Sequence, residues 1–371
     1  MLTVGQDDSL LTEINGGNNI RAVAFAANGE YLVSGGQGDV RVWRVADGEQ
    51  MAIVGGTEDV RCFAVSNDGR WIAAGTLWGE AFVWDAHTFE KVFSCEDGRS
   101  IFGVDFSPDS SRLVSANNQM ATIWDIATRE RVRRLRHWDL VRAAKYSPHG
   151  DRIVTATRDC VKVWDTNDGR SLKRISVVVT PRFNTGLLWS NNHLFVISDS
   201  KIKQFEAFTR SAFSEVPVPE SNHFSSIALP KHGEFIAYST NDTVTFSDTV
   251  THTHIGLIQH PQDIRSITIS PDDRFLAVGG GDGKITINSL SRIAVRILSL
   301  GCGAYEQLSY SDHSSIGFDP FVKPTPHIPG TRHSDRRHCA QLLEAQSTRE
   351  RRGIIDCNNP RFSESNSPCT R

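Results

Sequence analysis

The chain has 371 residues, with 40 Lys/Arg against 43 Asp/Glu and a formal charge of −3. That length exceeds one ordinary compact core and implies several domains or a repeat. A pI near 6.5 excludes a protein held to nucleic acid by its overall charge. A mean hydropathy of −0.31, with no run near the ~18 apolar residues that span a bilayer, argues against a membrane helix. The opening MLTVGQDDSLLTE has neither a basic nor an apolar region, so no secretory signal is expected. Seven scattered cysteines with no CxxC pair predict reduced thiols in a cytoplasmic or nuclear protein.

In chain order, residues 10–14 (LLTEI) read as one strand, and from residue 15 a unit of about forty residues begins to repeat. The first unit runs IRAVAF, AANGE, YLVSGG, QGD, VRVWRV, ADGE: short apolar or alternating runs separated by Gly/Asn/Asp turns. Trp43, Trp84, Trp124 and Trp164 mark the period, with spacings of 41, 40 and 40. The same step lands on Phe205, Phe246 and Ile287, and turns such as Asn28-Gly29, Asp68-Gly69 and His149-Gly150 keep pace. Seven units result, at about 15–57, 58–98, 99–137, 138–180, 181–221, 222–260 and 261–292. Four short strands per unit, seven times over, give an all-β chain: a seven-bladed β-propeller of four-stranded antiparallel blades over residues 1–295.

The segments FVWDA, TIWDI and KVWDT, preceded by FSPDS or YSPHG, resemble the WD-repeat β-propellers. The resemblance covers about three quarters of the chain; blade 1 has Trp43-Arg44 instead, and the last three units lack the tryptophan. It implies a structural hydrogen-bond set, placed in full only in blade 4 as His137, Thr155, Asp159 and Trp164. Blade 7 keeps His260 and Asp282, with Asn288 near the tryptophan position. A histidine, an acid and a hydroxyl also invite a catalytic reading, but burying an indole N–H and pinning a turn explains them better. The resemblance further implies closure by an N-terminal strand on the last blade. Residues 10–14 can supply it, and 293–298 compete for the slot.

The inner strands open on an apolar residue and then a variable one near the mouth of the channel. The variable residues are Arg21, Arg61, Phe102, Arg142, Thr185, Ser225 and Arg265. Guanidinium groups suit bidentate capture of carboxylate or phosphate, and Phe102 offers an apolar anchor. The competing account is local pairing with Asp59, Asp139 or Asp263 just upstream. No catalytic signature is present. Gly279–Gly283 with Lys284 lacks the spacing of a phosphate loop and reads as a hairpin turn.

The expected function is therefore a non-catalytic scaffold, monomeric within a larger complex, that presents the mouth to a protein or peptide, an acidic or phosphorylated one suiting the arginines. It needs no cofactor and no metal. The alternatives are a hydrolase on the same scaffold, or an acidic-partner dock on the basic edge at 130–138. Nucleic acid ranks below these, because no aromatic residues interleave with the basic ones. Residues 296–371 carry ten Lys/Arg against eight Asp/Glu and a proline-rich stretch, and are expected to be mostly disordered. Within them His333, His338, Cys339 and Cys357 match no zinc spacing, and Arg336-Arg337 and Arg351-Arg352 are weak nuclear signals.

Overall fold

The computed structural model is a seven-bladed β-propeller. The structure describes residues 3–293 except 5–8, 18, 55–58, 97, 178, 180–185, 191–192, 199–200, 207–213, 217–223 and 232. The segment 296–371, with its histidines, cysteines and basic pairs, lies outside the described residues.

Each blade is an antiparallel sheet whose strands follow chain order from the centre outward, as in blade 1: Ile20–Phe25, Tyr31–Gly36, Val40–Arg44 and Gln50–Val54. The inner strands of the remaining blades are Val60–Val65, Gly103–Phe106, Ala143–Tyr146, Leu187–Ser190, Phe224–Ala228 and Ile264–Ile269. A blade has two faces to bury, so the core forms in the seams. Seven apolar clusters of buried residues each join two neighbouring blades. In the blade 2–3 seam Val83, Phe93 and Cys95 meet Ile101, Val104, Leu113 and Trp124. Burial pushes the Cys62 thiol in that seam up to about 12, so it is an inert core group.

Blade 7 contributes only three strands from its own unit, and Leu10–Asn15 supplies the fourth, pairing antiparallel with Lys284–Ser289. Ile14 is buried there with Ile285, Ile287 and the Trp43 ring of blade 1, so one strand completes a sheet and seals a seam. The slot is therefore filled from the N-terminus. Of the rival 293–298 only Ile293 is described, and it belongs to a helical turn packed in the blade 6–7 seam. The turn before the last strand of blade 7 and the segment entering blade 1 meet closely here. A Cβ on Gly283, which has φ +84°, would fall 1.6 Å from the Gly17 carbonyl oxygen, so this turn admits glycine alone. Upstream, Thr3–Val4 adds a short parallel strand to the outer edge of blade 6.

The glycine-rich 279–284 is a hairpin turn, and Lys284 pairs with Glu13 of the closing strand at 2.6 Å.

The forty-residue step misses the tryptophan seat in two blades, although in blade 7 the expected neighbour Asn288 is the residue that holds it. Leu32 faces Trp43, Ile72 faces Trp84, Leu113 faces Trp124, Ile153 faces Trp164 and Leu194 faces Phe205. The same register in blades 6 and 7 gives Ser247, opposite Ile236, and Asn288, opposite Leu276. Phe246 and Ile287 stand one residue earlier and point to the other face, because side chains alternate with period two.

Candidate binding face at the channel mouth

Antiparallel pairing brings the start of each inner strand, the turn between the second and third strands, and the loop entering the blade to one face. In blades 1, 2, 6 and 7 the ladder between the first two strands is bulged at the predicted variable position, which holds Arg21, Arg61, Ser225 and Arg265. A bulge frees one residue from strict alternation and re-aims its side chain. In blades 3 and 4 the equivalent residues Phe102 and Arg142 donate their amides to Ala116 and Ala156 just ahead of the strand. Asn184 and Thr185 lie outside the described residues.

The four arginines are not equivalent. Arg21 reaches across the seam to Asp59 at 2.9 Å, and Arg265 pairs with Asp263 at 3.1 Å. Asp59 thus serves the neighbouring blade rather than Arg61 beside it. Asp139 accepts the amide of Leu140 at 2.7 Å and takes no part in an ion pair with Arg142. Among the described residues Arg61 and Arg142 have no ion-pair partner, and the Nε of each is buried without a hydrogen bond. Burial, then the Arg21 charge, holds the Arg61 guanidinium below its ordinary value. Both arginines and Phe102 between them are half-buried, on the consecutive blades 2, 3 and 4.

Sequence reasoning missed two more side chains on this face. Trp78, in the turn Leu77–Gly79 of blade 2, is 64% exposed, and Trp138, in the loop entering blade 4, is 96% exposed. Their signal was available: both stand off the forty-residue period, in turns where apolar residues have no seam to enter.

A cleft of about 280 Å³ opens on the same face where blade 7 meets blade 1. Its walls are largely glycine backbone, and its charged side chains are Asp39 and Arg41, the latter donating to the Gly16 carbonyl at 3.3 Å. The hydrolase alternative calls for carboxylates converging on the channel, whereas Asp59 and Asp263 are each engaged by an arginine.

The blade 4 set is partly assembled. Trp164 donates its indole N–H to Thr155 Oγ1 at 2.7 Å, and the His137 ring meets Trp164 edge-on at 5.1 Å. Neither ring nitrogen of His137 has a hydrogen-bond partner among the described residues, and burial followed by the Lys162 charge lowers its pKa to about 4. Asp159 is exposed and joins neither group. The tight turn it was expected to pin is held by Thr157, whose hydroxyl bonds both the amide and the carbonyl of Cys160. Thr76 and Asn117 do the same work in blades 2 and 3. In blade 7, His260 Nδ1 lies 3.1 Å from the Gln262 carbonyl, and Asp282 accepts the Lys284 amide.

A closed ring of seven such blades, with paired aromatic and hydroxyl residues in its seams, defines a WD-repeat propeller. The chain belongs to the WD40 family: the family profile, described as WD domain, G-beta repeat, matches residues 8–44, 48–85, 88–125, 129–165 and 250–287, just over half of the chain. Blades 5 and most of 6 fall outside the matched residues, where the tryptophan is gone. The chain is similar to angio-associated migratory cell protein of Homo sapiens, 35% identical over 97 residues, covering 25% of this chain and 22% of that one. It is also similar to the U3 small nucleolar RNA-associated protein 15 homolog of Xenopus laevis, 25% identical over 112 residues, which covers 30% and 22%. WD repeat-containing protein 1 of Gallus gallus is 37% identical over 65 residues, covering 16% and 11%. The match thus spans about a fifth or less of the length of these relatives.

Proposed function

We propose that the protein is a non-catalytic interaction scaffold that holds an acidic or phosphorylated peptide segment at the channel mouth, over blades 2 to 4. One observation carries this reading: Arg61 and Arg142 flank Phe102 with no ion-pair partner among the described residues, while Arg21 and Arg265 are each paired with an aspartate. Partly buried guanidinium groups without counter-charge cost stability, and a peptide carboxylate or phosphate removes that cost by bidentate pairing. Phe102 and Trp78 provide the apolar contact that anchors such a segment. One relative's name, U3 small nucleolar RNA-associated protein 15 homolog, fits a nuclear setting beside the cytoplasmic one.

The test is capture of partners from cell lysate by the full chain and by Arg61→Ser/Arg142→Ser, with thermal melts of both. The expected result is loss of a partner together with a melting temperature that is unchanged or slightly higher, since the two charges oppose folding. Retention of every partner by the variant would remove the mouth as the binding site.

A further inference from the structure

The outer edges of the seven blades differ in charge. Residues 129–136 hold five arginines against one glutamate, and 170–174 hold two arginines and a lysine with no carboxylate. These are the outer strands of adjacent blades, Arg131–Arg136 of blade 3 and Ser171–Ser176 of blade 4, with the turns that lead into them. The outer strands of the other five blades are near neutral or acidic: QMAIV, KVFSCE, SEV, HIGLIQ and LLTEIN.

Charge on an edge strand commonly guards against pairing with another sheet. That account does not explain why two adjacent edges carry unbalanced positive charge while the other five are near neutral or acidic. Nor does it explain the arrangement. Arg131, Arg134 and Arg136 stand opposite Trp124, Thr122 and Met120 on one face of blade 3, with Arg131 over the Trp124 ring at 5.9 Å. Arg174 stands directly opposite Lys162, a like-charge pair that disfavours the sheet. Arg133 is engaged with the Asn167 and Asp168 carbonyls, but Arg134, Arg136 and Arg174 are exposed and have no carboxylate partner among the described residues. Arg134 and Arg136 are two residues apart on one strand face, about 6.7 Å. Two residues beyond Arg136 the strand delivers Trp138, 96% exposed, to the rim of the mouth face. The sequence reading ranked nucleic acid low for want of an aromatic beside the basic residues; the fold supplies one.

We infer that the outer edge of blades 3 and 4 binds a single-stranded nucleic acid, its phosphates on Arg134, Arg136 and Arg174 and a base on the Trp138 ring. A polynucleotide, with charge spaced along its length, can meet exposed guanidinium groups on two adjacent blade edges, and every base offers a π-face to an exposed indole. An acidic protein segment would gain specificity from an apolar pocket among the charges, whereas the apolar side chains here, Val132, Leu172 and Trp138, stand 41%, 41% and 96% exposed.

The experiment is fluorescence anisotropy of a labelled 20-nucleotide oligouridine with the full chain, at 50 and 200 mM salt. Contact with three phosphates, one per arginine, predicts about 20-fold weaker binding at the higher salt, from a slope of ~0.7 per phosphate. Arg134→Gln/Arg136→Gln/Arg174→Gln should weaken binding at least ten-fold and flatten the salt slope, while lysine at the same three positions should restore most of both. Trp138→Ala should cost about five-fold or more without changing the slope. Arg61→Ser/Arg142→Ser should leave oligouridine binding intact, which separates this surface from the mouth. Absence of binding at 50 mM salt, or binding indifferent to the three arginines, overturns the proposal. Equal competition by a polyglutamate of the same length also overturns it, in favour of an acidic protein.

Discussion

Blades 1 to 4 and blades 5 to 7 solve one packing problem with different residues. In blades 1, 3 and 4 an indole fills the seam and donates its N–H to a hydroxyl on the neighbouring strand: Trp43 to Ser34, Trp124 to Ser115 and Trp164 to Thr155. In blade 5 the ring is Phe205 and the hydroxyl position holds Val196, since phenylalanine has no donor to satisfy. Blade 6 exchanges the pair across the two strands. Tyr238, fully buried, takes the hydroxyl position and Ser247 the tryptophan position, with the phenol beside the hydroxyls of Ser247 and Thr245. Blade 7 has Val278 and Asn288, and Asn288 meets Ser9 and Thr286 instead. The difference teaches that the seam selects a pair, one bulky group and one matching its polarity, rather than a tryptophan.

Breaking the pair where it is complete has the largest expected effect. Trp164→Ala should destabilise the protein by about 3–5 kcal/mol, through the emptied seam. Trp164→Phe should cost only about 1 kcal/mol, because Thr155 Oγ1 retains the Lys162 carbonyl at 3.4 Å. Urea unfolding followed by circular dichroism measures both. Equal losses for the two variants would show that the hydrogen bond, and not the ring volume, holds the seam.

These pairs also explain what could be read in advance. The forty-residue step located every blade, because turns and tryptophans recur together up to Trp164. It slipped by one residue in blades 6 and 7, onto the apolar Phe246 and Ile287, which moves each side chain to the opposite face; in blade 7 the polar Asn288 beside it marked the seat. At the mouth, the positions of Arg21, Arg61, Arg142 and Arg265 were legible from the start of each inner strand. Which of them are neutralised was not. The Arg21–Asp59 pair joins two blades, and local sequence gives no reason to prefer it over Arg61–Asp59.

The second effect concerns the histidine that leans on the indole in blade 4. His137 is lowered to about 4 in the folded protein, against an ordinary value near 6.5. The unfolded chain therefore binds the extra proton first as pH falls. The contribution of the neutral ring is complete above about pH 6.5 and is lost progressively toward pH 4. Between pH 7 and pH 5 this amounts to about 2 kcal/mol. His137→Gln should be less stable at pH 7 yet lose about that much less on acidification, measured as the difference in unfolding free energy at the two pH values. Parallel pH profiles for the two proteins would mean that the ring is solvated in the fold.

The smallest effect tests the rule at its exception. Trp84 in blade 2 has the ring but not the hydroxyl: Ala74 occupies the position held by Ser34, Ser115 and Thr155, and Trp84 stacks on Phe82 at 5.7 Å. Ala74→Ser should give the indole N–H an acceptor and raise stability by up to about 1 kcal/mol. In a Trp84→Phe background the same serine has no donor to accept, and a buried hydroxyl then costs stability. A double-mutant cycle of the two substitutions isolates the coupling. A favourable coupling near 1 kcal/mol makes ring and hydroxyl one unit, as the paired replacements in blades 5 and 6 imply. A coupling of zero would mean that the Phe82 stack already meets the needs of Trp84, and that blade 2 is a fifth solution to the same seam.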